Sequence, residues 1–146
     1  MIARGLLIPA IGLTVTIAVG TYLTARLAAQ TPPPDAFDFT NAVHAEVRDA
    51  RGQAILRGEF MTSDTDPNEI ERKATLAPTG IDADASGEAE IELSTSGNRR
   101  RQEVEFNVRN LQPGGVFTFV IDGRDFATVT ANNRGRAEHE RDVPLP

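Results

Sequence analysis

From Phe37 onward the apolar residues of this chain recur at every second position, the period of a half-buried β-strand rather than of a helix. In "VHAEVRD", Val43, Ala45 and Val47 share one face while His44, Glu46 and Arg48 share the other. "EAEIEL" sets Ala89, Ile91 and Leu93 inward, and "EVEFNV" does the same with Val104, Phe106 and Val108. With "QAILRGEF", "KATLA", "GVFTFVI", "FATVT" and "RAEHE", these runs predict about eight short antiparallel strands separated by Gly, Pro, Asn and Asp clusters. Such spacing belongs to sandwiches and barrels, and the expectation is all-β: a single antiparallel β-sandwich, Greek-key-like, over residues 37–146. "DPNEIERK" has room for one helical turn.

The connections carry their own signals. Gly-x-Ala recurs in "DARGQA" at Gly52, "DASGEA" at Gly87 and "NNRGRA" at Gly135. At each, a glycine entering a strand after a polar turn is expected to supply positive φ, with the small residue after it packing inward. In "LQPGGVFTFVIDGRDFATV", Asp122 and Gly123 are the preferred pair for a type I′ hairpin turn. That turn would set Phe119 opposite Phe126 and Phe117 opposite Thr128, which makes the phenylalanines core residues rather than a ligand cage.

Upstream, the 21 residues from Gly5 to Ala25 carry no charge and follow Arg4. Residues 1–29 therefore read as an export signal. It is either a signal peptide cleaved after Ala25 or Ala29, or a signal-anchor transmembrane helix spanning residues 5–25 of an inner membrane. Either form sends the remainder outside the cytoplasm, to the periplasm or cell surface. "QTPPPDA", residues 30–36, reads as an extended proline-rich spacer. Beyond it stand 20 acidic and 13 basic side chains, about −7, a balance that repels nucleic acid and anionic lipid. The chain has no cysteine, which removes disulfides, thiolate nucleophiles and Cys-based metal sites.

Two local patterns carry candidate chemistry. In "DADASGEAEIE", Asp82, Asp84 and Ser86 alternate before Gly87, with Glu88 following. This is the spacing of an oxygen-rich calcium loop, although Leu93 stands where an EF-hand needs a bidentate Glu. The readings are a simple calcium turn or a polar hairpin turn. Second, if Ala89, Ile91 and Leu93 face inward beside Val104, Phe106 and Val108, then Glu88, Glu90, Glu92, Glu103 and Glu105 must all face outward on one hairpin. Arg99, Arg101 and Arg109 share that face by the same parity. It reads as a solvated, charge-compensated surface, or as a site for a cation or a basic partner. The basic tip "GNRRRQ" and the two histidines, His44 and His139, complete the candidates, both histidines being read on polar strand faces. The serines lack a nucleophile-elbow glycine pattern, so no enzyme is expected.

"ERKATLAPTGIDADASGEAEIEL" and "VEFNVRNLQPGGVFTFVIDG" resemble the chordin-related (CHRD) domain of exported bacterial proteins, whose pattern runs Gly-x-Ala, strand, then a strand ending near Leu-x-Pro-Gly. The resemblance covers roughly Glu71 to Glu140 and implies an extracytoplasmic antiparallel β-sandwich. The family pattern places a histidine-containing segment after Leu-x-Pro-Gly, whereas this chain has "FTFVIDG", so no metal site carries over. The functional expectation is a non-catalytic, exported or membrane-tethered interaction module of the bacterial cell envelope, with a protein or polysaccharide partner. A calcium-stabilised adhesion module using Asp82, Asp84, Ser86 and Glu88, and a carboxylate-based hydrolase, are the alternatives.

Overall fold

The structure, a computed structural model, describes residues 37–145. The expected N-terminal helix, export signal and proline spacer lie outside the described residues. Among the described residues nine strands follow one another: β1 (His44–Arg48), β2 (Ala54–Glu59), β3 (Met61–Asp66), β4 (Glu69–Pro78), β5 (Ser86–Ser96), β6 (Arg99–Arg109), β7 (Val116–Ile121), β8 (Arg124–Thr130) and β9 (Ala137–Asp142). All pairs are antiparallel, in the order β8-β7-β1-β2-β4-β5-β6-β9, with β3 beside β4.

The all-β expectation holds, but its layers come from one sheet rather than two. β2 and β3 are a single run broken at Phe60. β3 pairs with the first half of β4, whereas β2 touches only its end, through Leu56 opposite Pro78 and Arg57 opposite Ala77. Beyond that brief contact β2 swings across to β1. The sheet folds over at this corner and is nearly closed into a barrel, with β8 and β9 as its free ends. The strand not foreseen is β3, "MTSDTD", exposed along its whole length and so without alternation to read. "DPNEIERK" is no helix: Pro67 and Asn68 turn a hairpin and Glu69–Lys73 extend β4.

Inward positions follow the period-two reading. Ala45, Val47, Ala89, Ile91, Val104 and Phe106 are fully buried, whereas Val43 precedes β1 and is 49% exposed. Across the core Phe106 of β6 stacks on Phe119 of β7, ring centroids 4.6 Å apart, and on Phe126 of β8 at 5.9 Å. Asp122 and Gly123 take φ of 47° and 78°, as a type I′ turn requires. The register then slips between Phe119 and Val120, so Phe119 faces Ala127 and Phe117 faces Val129, not Phe126 and Thr128. The slip is a bulge that lets Phe126 turn inward beside Phe106. Of the three Gly-x-Ala glycines, Gly52 and Gly135 have φ of 77° and 69°. Gly87 does not: it lies inside β5, where a Cβ would stand 2.7 Å from the Asn107 carbonyl oxygen. Close backbone approach, not turn geometry, requires glycine there.

Among the described residues one polar residue is buried in this core, Gln102, 1% exposed. Its Oε1 accepts the Phe39 N–H at 2.7 Å and its Nε2 donates to the Phe37 carbonyl at 2.8 Å, while its own carbonyl accepts the Val143 N–H at 2.8 Å. The segment entering the fold is thus fixed to the start of β6. Asp122 does more than turn a hairpin: its carboxylate accepts the N–H groups of Val43 and His44 at 3.0 and 2.8 Å, holding the start of β1.

Gln102→Leu keeps the volume but leaves the Phe39 N–H and the Phe37 carbonyl without partners, an expected loss of about 1–3 kcal/mol. In thermal unfolding of the full-length chain this should lower the midpoint by roughly 5–15 °C.

Candidate functional site

Because Ala89, Ile91, Val104 and Phe106 are buried, the residues between them must lie on the outer face. The register extends this to four strands. One row across β4, β5, β6 and β9 reads Glu71, Glu92, Glu103, Asp142. The next reads Lys73, Glu90, Glu105, Glu140, and the third Thr75, Glu88, Asn107, Glu138. With strands about 4.8 Å apart and rows about 6.8 Å apart, the patch measures roughly 14 Å on a side. Nine of its twelve positions carry a carboxylate.

Few cations answer them. Lys73 Nζ lies 2.6 Å from Glu71 Oε1 and 3.4 Å from Glu90 Oε2, and Arg101 reaches Asp142 at 2.7 Å. Among the described residues, Glu88, Glu92, Glu103, Glu105, Glu138 and Glu140 make no ion pair. Arg109 shares the face as expected, but its Nε donates to Ser86 Oγ at 3.1 Å.

The titration of the face follows from this imbalance. Burial first, then the charges of Glu140 and Glu92, hold Glu103 above the usual carboxylate range. Burial and the Glu71 charge raise Glu90 despite Lys73. The charge of Glu92 is the main cause that raises Glu69. Glu71 runs the other way, lowered by hydrogen bonds from Lys73 and Ser63.

The proposed calcium residues are divided between a bend and a strand. Asp82 and Asp84 lie in the bend before β5, where the Asp84 carbonyl accepts from Asn110 Nδ2 at 3.0 Å. Ser86 and Glu88 are already in extended β5, about 6.8 Å apart along the strand. Glu88 belongs to the third acidic row. Among the described residues no three His, Asp or Glu side chains gather to hold a metal. The histidines are also apart. His44 is exposed at the start of β1, whereas His139, read as outward, points inward against Phe126 at 5.5 Å between centroids. Buried Ala137 sets that parity for β9.

The third row itself lines a depression of about 390 Å³, where Glu88 and Glu138 are joined by Arg109 and Arg136. The first two rows lie on the outer sheet face away from it. Sequence reasoning found the β5–β6 portion of this surface and missed the contributions of β4 and β9. The alternation of Glu138 and Glu140 was visible, but not that β9 pairs with β6.

Glu103→Gln should stabilise the fold at neutral pH and low salt by ~0.2–1 kcal/mol, the range of one cross-strand pair. Because the folded state raises the pKa of Glu103, its ionised form weighs against folding above that range, and acid lifts the burden. The gain over wild type in thermal unfolding should therefore shrink as pH falls towards about 4.5, and also in about 1 M salt.

Compared with known protein families, curated proteins and solved structures, the chain matches none of them.

Proposed function

We propose that this chain is an exported, non-catalytic interaction module whose acidic sheet face receives a cationic partner, a protein segment rich in Lys and Arg. The observation that carries the reading is the set of three carboxylate rows in register across four strands, where among the described residues only Lys73 and Arg101 form ion pairs. Like charges directly opposite each other on a sheet destabilise it. A basic surface arriving from outside supplies the counter-charge that the fold lacks, and long-range attraction speeds its encounter. The uncharged stretch from Gly5 to Ala25, the proline spacer after it and the CHRD resemblance support placement outside the cytoplasm, at the cell envelope.

The test uses the full-length chain in mild detergent and an oligolysine peptide as probe. Binding should weaken between about 50 and 300 mM salt. Glu92→Gln with Glu103→Gln should weaken it by about tenfold, roughly 1.4 kcal/mol. Glu59→Gln with Asp125→Asn removes the same charge from exposed positions off that face and should leave affinity unchanged. Equal loss in both pairs would reduce the effect to net charge and defeat the reading.

A further inference from the structure

β8 and β9 are the two ends of the sheet, and no backbone ladder joins them. Side chains close the gap instead. Phe126 of β8 meets the His139 imidazole edge-on with centroids 5.5 Å apart, and the Arg141 guanidinium lies 4.8 Å over the same phenyl ring. Within this contact His139 Nε2 and Arg141 Nε are buried without a hydrogen-bond partner. Among the described residues they are the only buried side-chain polar atoms in that condition. Such groups gain partners from water as soon as the strands separate.

No acidic side chain faces His139 to stabilise a second positive charge. β6 faces it with Phe106 in register, and β8 faces it with Phe126. Across the Phe126 ring lies Phe39 of the entering segment, at 6.1 Å. The charged neighbours point elsewhere: Arg124 of β8 lies over Phe37 at 5.3 Å, while Asp125 and Asp38 are exposed. Glu138 and Glu140 stand on the opposite face of β9. The remaining charge is Arg141, two residues along.

We propose that the β8–β9 seam is an acid-opened joint, in which protonation of His139 expels its imidazole from beneath Phe126 and separates the two strands. Burial first and the Arg141 charge second hold the imidazole below its usual range. The proton therefore binds more tightly once the seam is open, and linkage makes acid the opening agent. The closed seam is complete above the ordinary imidazole value of about 6.5 and is given up as pH falls below it. No strand ladder crosses the gap, so beyond the connection, where the Asn132 N–H donates to the Arg136 carbonyl at 2.8 Å, opening costs side-chain contacts.

The chain has no cysteine, so a single Val129→Cys on β8, a partly buried position packed against the core, is a unique probe. In the full-length protein its labelling by a disulfide reagent, relative to a free thiol at the same pH, should rise at least about tenfold between pH 7.5 and 5. His139→Gln, which cannot take up the proton, should abolish the rise. A flat profile in the parent, or the same rise with glutamine in place, would overturn the proposal. If the double variant does not fold, the wild type decides by NMR. The Phe126 ring resonances should follow the His139 titration while those of Phe119 stay fixed, and a Phe126 indifferent to that titration would refute the joint.

Discussion

The position of Phe106 governs both sides of the sheet. Its ring lies between Phe119 and Phe126 and joins the two halves of the fold, so β6 must present that residue inward. Parity then obliges Glu103 and Glu105 to face out, and the register with β5 and β9 imposes the same on Glu90, Glu92, Glu138 and Glu140. The magnitudes show why the arrangement survives its own repulsion. Losing a buried phenylalanine costs about 3–5 kcal/mol, whereas a like-charged cross-strand pair costs ~0.2–1 kcal/mol. A slip of one residue would also bury carboxylates. The acidic surface is thus a by-product of the core that the core is strong enough to sustain.

How much of this was legible depended on how far each signal reached along the chain. Alternation is local, and it placed Ala89, Ile91, Leu93, Val104, Phe106 and Val108 correctly. The Asp122–Gly123 turn is local too. What escaped was non-local or without contrast. β3 has no apolar face to read. The bulge beside Phe119 comes from the inward demand of Phe126, which depends on a ring on another strand. Gln102 looks in the sequence like the end of a basic tip, and its burial follows from the return of Phe37 and Phe39 across the end of the sheet. The four-strand acidic face needed the pairing of β6 with β9, which lie 28 residues apart from Arg109 to Ala137 in sequence. His139 reads wrongly as outward because a histidine beside glutamates resembles a surface residue until Ala137 fixes the parity.

The sheet therefore carries two kinds of unmet demand, on opposite faces. Outside, carboxylates lack counter-charges but keep water, so their frustration is mild and screened by salt. Inside the seam, His139 Nε2 and Arg141 Nε are buried without a hydrogen-bond partner. Few groups are involved there, but each is worth more, because burial removes the solvent that would otherwise satisfy them. The first condition suits a surface that meets a partner, and the second suits a boundary that yields.

Gln102 also determines how the domain meets mechanical load. Phe37, Phe39 and Val143 all converge on it, so the two ends of the described chain leave the fold at one point. Tension between them does not run through the length of the sheet. It falls on the Gln102 contacts and then on the terminal pairs of β6 and β9, which open in succession as a zip does instead of resisting together in shear. Pulled from both ends, such a domain would come apart from β9 inward, while the β4–β5–β6 strands that carry most of the acidic rows stayed paired.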